Sequence, residues 1–549
     1  MRHHPAPLRS APTLRTRSCE RCFYSAPAPD APCGRWWRRR TVMLTAALAL
    51  TGCRPAPHPH TLVFLIESSP NSLDVRQGTD SQSERIGELI FDPLVRKDAH
   101  FHLQPWLATS WLRRDPLTWI FHLRPGVRFT DGHALTSADV AWSIRSMTNG
   151  SIVTAKGGAF KAITAVETPD PLTVIVHTST PLPSLLFNLS DGLFGVVENG
   201  AGADEGLHPL GSGPFRFVSQ VQDKDVILER NPAYWAGAPS PTIQRVRFEV
   251  VPDTITAALE MEKGSADAES NLLTMDMVHA LGDHAAKSRH PHLAIATGPG
   301  DRVDYLNFNV QDPALRDPRV RRAIALAMDR PALIAALWRG HARLADTLLP
   351  PGHWAEAPAD ELAQYPHDIG RAIALLDAAG LRPDRNGIRL HLTLKTSTDE
   401  TSRLEAQALQ AELREVGIDL ALRWSDFGTF YSDITKGAFQ MYLLRWIGSN
   451  EDPDIFHYAY ATEMFPPRGA NRGHYSNPRV DALLRAANDT TNEAERRQDY
   501  IRIQQILAQD LPTIPLWYPD NVVVHSTRLS RLRLDPGGSF DFLRSAELR

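Results

Sequence analysis

The order of apolar and polar residues along the body of the chain predicts strands and helices in turn. The regions predicted as strands are 61–66, 119–124, 390–394 and 418–422, and those predicted as helices are 135–142, 317–329, 402–416 and 496–507. No short repeat period organises them. The pattern therefore indicates an α/β or mixed α+β body of several lobes.

Residues at helix starts sharpen these predictions. Thr136 precedes one apolar-periodic run and Asp139 follows three residues later, which is the spacing of a capping box. Asp317 directly precedes a proline and caps a second helix. The apolar residues of that second helix share one face, so we expect Arg321 and Arg322 to lie on its solvent-facing flanks.

Charge and cysteine placement narrow the class of protein. The 549 residues carry a formal charge of −4, but the first 53 residues carry +7, which leaves −11 on the body. An acidic body argues against nucleic acid as a partner. The four cysteines all lie at or before Cys53, so the body holds no disulfide. Cys19 and Cys22 have no second ligand pair at useful spacing, and no metal site is expected there.

The basic segment 35–40 (RWWRRR) precedes a short apolar run at 42–50, which ends at Leu50-Thr-Gly-Cys53. This order is typical of a signal peptide, and the run is too short for a permanent membrane span. We assign 1–52 to the signal peptide, with a doubtful N-terminal extension over 1–34. Residues 53–60 are interpreted as a proline-rich tether. No later segment is apolar enough to cross a bilayer.

Leu50-Thr-Gly-Cys53 resembles a bacterial lipobox. The resemblance implies that Cys53 carries a lipid and anchors the body to the membrane. It also places the body in the periplasm or on the extracytoplasmic face.

A series of motifs in the body resembles the solute-binding proteins of peptide and nickel ABC importers, which form family 5. The segment 119–132 (WIFHLRPGVRFTDG) is similar to a stretch of that family, and its other motifs follow in family order. They are PWLATSW (105–111), GSGPF (211–215), ERNPAYW (229–235), YLNFN (305–309), RRAIALAMDR (321–330), AAGL (378–381), YSNPRVD (475–481) and LPTIPL (511–516).

The resemblance implies a class II periplasmic-binding-protein fold, with two hinged lobes and a small extra subdomain. It places lobe I at 61–88, 208–304 and 517–549, the small subdomain at 89–207, and lobe II at 305–516. In this family the solute lies between lobes that close on it.

The segment 443–454 (LLRWIGSNEDPD) resembles a cleft-facing stretch of the second lobe, and Trp446 matches its tryptophan. An indole offers a flat apolar wall and one donor, although simple core packing is the alternative. Ser449 stands where the dipeptide-binding branch has an aspartate for the peptide ammonium group. Glu451 or Asp452 is a candidate replacement, although Asp452 also suits a turn.

The same branch holds the peptide carboxylate with an arginine at a position that here matches Thr396, near Thr398. Lys395 is the adjacent cation. Losing both charged anchors favours a longer peptide, held by main-chain pairing, over a free dipeptide. Ser69, in the loop after the first strand, is a further candidate ligand residue, since such loops line ligand sites in α/β sheets.

The predicted function is capture of peptides, with oligopeptides preferred, for ABC permease subunits whose ATPases lie across the membrane. The chain would act as a monomer without cofactor or metal. No Gly-x-Ser-x-Gly elbow or His-Glu-x-x-His motif occurs, so an enzyme is not expected. The alternative is a sensor or binding lipoprotein for a non-peptide solute such as a nickel chelate, haem or glycan.

Overall fold

The fold is taken from a computed structural model of the chain. It describes residues 60–154, 156–190, 192, 194–237, 242–288, 291–446, 448, 451–490 and 492–549.

The strands of the described residues form three main sheets and two small ribbons. In chain order they are β1 (Thr61–Ile66), β2 (Val95–Lys97), β3 (Leu103–Pro105), β4 (Ala108–Asp115), β5 (Thr118–Leu123), β6 (Ile163–Asp170), β7 (Thr173–Thr178), β8 (Phe215–Val221), β9 (Asp225–Arg230), β10 (Arg245–Val250), β11 (Ala268–Ser270), β12 (Leu293–Gly298), β13 (Val303–Phe308), β14 (Ala342–Leu344), β15 (Leu390–Ser397), β16 (Ile418–Ser425), β17 (Met441–Trp446), β18 (Thr513–Pro519), β19 (Asn521–Ser526), β20 (Leu529–Ser530) and β21 (Glu547–Leu548).

The α-helices of the described residues pack against these sheets. They are α1 (Ser81–Ile90), α2 (Ser137–Thr148), α3 (Leu185–Asn188), α4 (Thr254–Lys263), α5 (Met275–Lys287), α6 (Pro318–Ala327), α7 (Arg330–Leu337), α8 (Ile369–Ala378), α9 (Glu400–Glu415), α10 (Phe427–Thr435), α11 (Ile455–Tyr460), α12 (Pro478–Asp489) and α13 (Glu493–Asp510). Within the described ranges no helix has both the length and the apolar run that a bilayer span requires.

The first sheet has seven strands in the order β12-β19-β11-β1-β10-β9-β8. Its central strand β1 pairs in parallel with β10 and β11. Phe64 on β1 is buried against Phe248 and Phe540, with ring centres 5.5 and 4.6 Å away. The sheet therefore draws strands from three separate stretches of the sequence around one aromatic core.

The second sheet has six strands in the order β14-β18-β13-β17-β15-β16. Its core joins β13, β15, β16 and β17 to the apolar faces of α6, α8 and α9. The predicted lobe boundaries at 304/305 and 516/517 fall inside β13 and β18. These two strands pair with each other in the second sheet, so each boundary would divide a strand of that sheet.

The third sheet, β4-β5-β7-β6, lies in an insertion that leaves the first sheet's unit after α1 and returns before β8. The two ends of the insertion touch. The amide of Gly213 donates to the carbonyl of Ile90 at 2.8 Å, and a Cβ on Gly211 would collide with that same carbonyl. The glycines at 211 and 213 therefore allow a close backbone approach.

Asp92 ties this junction together. Its buried carboxylate accepts hydrogen bonds from Trp106, Ser212, Tyr234 and Trp235, at 2.8 to 2.9 Å. The ERNPAYW motif is thus a packed corner around one carboxylate, whose lone pairs are filled by four donors.

The four strands and four helices that the sequence predicts are all present, with ends displaced by a few residues. The capping box is also confirmed: the Asp139 carboxylate accepts the Thr136 backbone amide at 2.6 Å and its hydroxyl at 3.0 Å. Asp317 caps α6 by accepting the backbone amide of Arg319 at 2.9 Å.

The prediction that Arg321 lies on a solvent-facing flank of α6 is wrong. Its side chain is buried and donates to the carbonyls of Leu315, Arg316, Asp510 and Leu511. The guanidinium donates to these four main-chain carbonyls, which offsets the cost of its burial. Arg322 is partly exposed and donates to the Gln509 carbonyl at 2.8 Å.

Candidate functional site

Two short segments, 299–302 and Asp520, connect the first and second sheets. In the second sheet β15 runs parallel to β16 and β17, so the carboxyl ends of all three strands share one edge. Val303, where the chain enters the sheet, lies opposite Trp446 at that same edge. Open α/β sheets bind ligands at this edge.

The carboxyl edge of the first sheet also lies at the connecting segments. Asn521 begins β19 opposite Gly298, the last residue of β12, and β12 runs in the same direction as β1. The carboxyl edges of the two sheets therefore face each other across the connecting segments.

A cavity of about 340 Å³, here called the central cavity, lies between these edges. The first sheet's unit contributes Ile66, Glu67 and α1, the second contributes α9 and Arg445, and the connecting segments contribute Asp301. Its volume falls in the roughly 300–1,000 Å³ range of small-molecule sites.

An ion pair crosses between the two walls. Arg339, after α7, donates through Nε and Nη2 to Asp276 on α5, at 2.8 and 2.6 Å. Both side chains are exposed, so the pair fixes the two units only weakly.

A charged network underlies the second wall. Arg302 donates twice to the buried Asp304 carboxylate, at 2.8 and 2.7 Å, and Trp517 Nε1 donates to it at 3.0 Å. Arg445 bonds Asp399 at 3.2 Å. Burial alone would raise the pKa of Asp304, but the charges of Arg302 and Arg445 outweigh it and lower that pKa.

Two further carboxyl groups that line the cavity have raised pKa values. Burial, followed by the charge of Asp304, raises the pKa of Glu405 well above its usual value. Burial raises the pKa of Asp301 to about 6, against the lowering effects of Glu451 and Lys97. Burial therefore favours the neutral form of Glu405, whereas Asp301 changes charge near pH 6.

The two walls each present a buried polar atom that lacks a partner. Gln82 on α1 and Glu405 on α9 are 6% and 3% exposed, and Oε1 of each has no hydrogen-bond partner among the described residues. Buried polar atoms are nearly always paired in folded proteins. A polar solute in the central cavity would supply the missing donors.

Three of the predicted site residues lie at the carboxyl edge of the second sheet. Trp446, at the end of β17, stacks on Tyr305 with ring centres 5.8 Å apart and an interplanar angle of 13°. Thr396 is buried on β15, and its hydroxyl has no partner within the described part of the chain. Thr398 follows the strand and is exposed.

The remaining predicted site residues are placed elsewhere or not described. Asp452 is buried and accepts the Asp454 amide at 2.9 Å, in a turn that leads into α11. Ser69 accepts the amide of Asp223 at 2.7 Å, and it is not among the residues lining the central cavity. Ser449 and Cys53 lie outside the described residues.

The two charged residues considered as replacement anchors are already paired. Lys395 donates to Asp433 at 2.6 Å. Glu451 forms an ion pair with Lys97 of β2, and its carbonyl accepts His353 Nε2 at 2.8 Å. Each would have to break an internal contact before it could hold a solute.

Asp452 lines a second opening of about 600 Å³, here called the lateral crevice. The crevice lies between the third sheet's unit, which contributes Trp111 and Trp119, and residues near the second sheet, including Trp354 and Arg496. It separates the insertion from the second sheet's unit, whereas the central cavity separates the two larger sheets.

Sequence reasoning missed Gln82, Arg85 and Arg472. Arg85 lines the central cavity, lies over the Phe540 ring at 5.7 Å, and forms no ion pair with another described residue. Arg472 contacts Trp446 and comes three residues before the YSNPRVD motif. No local pattern marks these positions, because each depends on contacts between distant segments.

A family model described as "Bacterial extracellular solute-binding proteins, family 5 Middle" matches residues 102–464. A curated relative, the glutathione-binding protein GsiB of Pectobacterium atrosepticum, is 27% identical over 521 residues, covering 92% of this chain and 98% of the relative. The probable di/tripeptide-binding protein 5 of Pseudomonas aeruginosa is also 27% identical, covering 89% of this chain and 96% of its own length.

Solved structures of other proteins share the fold of this chain. The ABC transporter substrate-binding protein CtaP of Listeria monocytogenes superposes with a TM-score of 0.78 at 23% identity, covering 89% of this chain and 99% of that one.

Proposed function

Since this chain belongs to the bacterial extracellular solute-binding proteins of family 5, we propose that it captures short peptides in the central cavity and delivers them to an ABC permease. The peptide is released unchanged, and the chain acts as a monomer. The curated relatives named above are both binding proteins, one for glutathione and one for di- and tripeptides.

The observation that carries this proposal is the mixed character of the central cavity. Its walls hold carboxyl groups at Glu67 and Asp301, a guanidinium at Arg85, and unpartnered buried oxygens at Gln82 and Glu405. A peptide has an ammonium group, a carboxylate and main-chain amides, which complement these three kinds of group. The size of the cavity supports a ligand of two to three residues better than a long peptide.

The proposal includes lobes that close by bending at the two connecting segments. Gly300 lets the two connections pack closely, because a Cβ there would collide with the carbonyl of Pro519, the last residue of β18. Asn521 also ties the segments together through bonds to the carbonyls of Pro299, Asp535 and Pro536. Lobe I would hold the first sheet, lobe II the second sheet, and the small subdomain the third.

The proposal also places the body outside the cytoplasmic membrane, tethered by a lipid on Cys53. This part depends on the lipobox-like sequence at 50–53. Cys53→Ala should move the protein from washed membranes to the soluble fraction. Retention of the variant in the membrane fraction would show that the anchor lies elsewhere.

Titration calorimetry with glutathione, tri-alanine and di-alanine tests the ligand class. We expect one or more of these peptides to bind and to be recovered unaltered. If all three fail to bind while haemin or a nickel–histidine chelate binds, the peptide proposal is wrong.

The role of the cavity is tested by Gln82→Leu, which removes the unpartnered Oε1 oxygen with little change of volume. We expect peptide affinity to fall about two- to tenfold, the usual effect of losing one neutral hydrogen bond. Gln222→Leu is the matched control, because Gln222 is exposed in the turn between β8 and β9. Equal affinities of the two variants would place the solute outside the cavity.

A further inference from the structure

The turn between β2 and β3, residues 98–102, reaches from the third sheet's unit to the second sheet's unit. Both strands belong to the insertion that Asp92 ties to the first sheet's unit. Phe101 lies in this turn, yet it is only 4% exposed. Its ring stacks on that of His353, in the loop after β14, with ring centres 5.5 Å apart and an interplanar angle of 24°. The turn therefore joins the two halves of the molecule outside the two connecting segments.

The backbone of the turn holds Phe101 in an uncommon conformation. Its φ is +64°, in the left-handed region that bulky residues rarely adopt. The Asp98 carboxylate accepts the backbone amides of His100 and His102 at 2.8 and 3.0 Å, and the Asp98 carbonyl accepts that of Phe101 at 2.9 Å. Strained residues persist where the surrounding structure holds them, and they cluster at clamps and switches. Asp98 therefore fixes the turn that presents the Phe101 ring.

The ring that receives Phe101 is fixed as well. His353 is 2% exposed, and burial lowers its pKa to about 3, so the ring is neutral at pH 7. Its Nδ1 accepts the backbone amide of Ala355 at 2.9 Å, and its Nε2 donates to the Glu451 carbonyl at 2.8 Å. Both ring nitrogens are therefore occupied within the second unit, and one face of the ring receives Phe101.

A second contact of the hairpin lies beside the first. Lys97, at the end of β2, forms an ion pair with Glu451, and the two side chains are 12% and 7% exposed. Glu451 is the residue whose carbonyl accepts His353, so both contacts meet at one loop of the second unit. Salt screens a buried pair much less than an exposed one. This contact therefore persists at physiological ionic strength, unlike the exposed pair of Arg339 and Asp276.

The contacts of the hairpin belong to a closed arrangement of the two walls. Arg339 and Asp276 pair across the central cavity, so its walls face each other closely. Asp92 ties the insertion to the first sheet's unit, so bending at the connecting segments would move both together relative to the second sheet's unit. The same movement would displace the Phe101 ring from His353.

We propose that the turn at 98–102 is a latch, in which Phe101 and Lys97 hold the lobes closed and so slow the release of a captured solute. Opening the lobes exposes the Phe101 ring to water, and an aromatic side chain is among the larger single contributors to an interface. Most differences in affinity between related complexes arise in the dissociation rate. The inference rests on the proposed function, because a latch acts only on lobes that close over a solute.

The test measures the dissociation rate of tri-alanine by stopped-flow, with tryptophan fluorescence as the signal. Phe101→Gly removes the ring but keeps the turn, since glycine adopts the left-handed conformation without strain. We expect the dissociation rate to rise about 10- to 100-fold. Phe101→Leu keeps an apolar side chain and should give a smaller rise, so the test does not depend on the folding of one variant.

Asp223→Gly is the matched control. Asp223 is also a left-handed residue in a hairpin turn, with φ at +58°, but it is exposed and its turn joins β8 to β9 of the first sheet. The dissociation rate of this variant should equal that of the wild type. An unchanged rate in Phe101→Gly, or an equal rise in Asp223→Gly, overturns the latch.

Solution X-ray scattering separates this inference from the proposed function. If tri-alanine does not bind the wild-type chain, that result counts against the proposed function itself, and the radius of gyration of the ligand-free chain then decides the latch. A larger radius in Phe101→Gly than in the wild type and Asp223→Gly supports the latch, and equal radii overturn it.

Discussion

The two edges that face each other across the central cavity hold their polar groups differently. The second sheet's edge carries an internally paired network, in which Asp304 holds Arg302 and Arg445 bonds Asp399. Both edges hold one unpartnered buried oxygen, on Gln82 and Glu405, but Arg85 on the first sheet's edge forms no ion pair with another described residue. Groups that are paired internally stabilise the fold, whereas groups without partners remain available to a solute.

The largest loss of stability is expected from a substitution in the paired network of the second sheet's edge. Asp304→Asn keeps the acceptor for Trp517 but removes the buried charge that Arg302 and Arg445 face. Breaking a buried ion pair on one side costs about 3–5 kcal/mol, so the free energy of unfolding should fall by that amount. Urea denaturation at pH 7 measures it.

Glu405→Gln is the matched control at the same edge. Glu405 is as buried as Asp304, but its pKa is raised well above the usual value, so burial favours its neutral form. Because the neutral form is the favoured one, replacing Glu405 by an amide of similar shape should change stability by less than about 1 kcal/mol. Equal losses in the two variants would contradict the assigned charges.

The next largest effect on stability is expected from Asp301 in the connecting segment. Burial raises the folded-state pKa of Asp301 to about 6, above an unfolded value of about 3.9. The folded state therefore retains the proton longer, and its stability should fall by about 2 kcal/mol between pH 4 and pH 6. Lys97 and Arg85 lower this pKa, whereas Asp535 raises it.

Asp301→Asn cannot ionise and should remove that part of the pH dependence. Denaturation curves of the wild type and the variant from pH 4 to pH 8 make the comparison. Parallel curves over this range would mean that Asp301 is already charged at pH 4.

The smallest effect is expected at the open edge. Arg85 forms no ion pair with another described residue, so Arg85→Met should change the free energy of unfolding by less than about 0.5 kcal/mol. Thermal denaturation at pH 7 checks this. A loss comparable with that of Asp304→Asn would remove the distinction between the two edges.

Elements that depend on neighbouring residues were predictable from the sequence. The strand at 61–66 and the cap formed by Thr136 and Asp139 follow from local spacing, and both are present. The position of Arg321 was not predictable from helix periodicity, since its partners include carbonyls 189 and 190 residues away. Periodicity shows which face is apolar, but it contains no information on distant carbonyls.

The candidate site was predictable only in part, for the same reason. Trp446 was identified by resemblance, and it lies at the expected edge of the second sheet. Lys395 and Glu451 were reasonable anchors by charge, yet Asp433 and Lys97 already pair with them. Arg472 gave no signal, because its burial arises from tertiary packing.

The closed junction at Asp92 bears on how such a chain could evolve. Because Ile90 and Gly213 are hydrogen-bonded, the segment between them begins and ends at one point of the first sheet's unit. Insertions whose ends lie close together can be gained, lost or exchanged without altering the path of the host. The third sheet and its helices thus form a cassette, and its replacement would reshape the lateral crevice while leaving the central cavity's two facing edges in place.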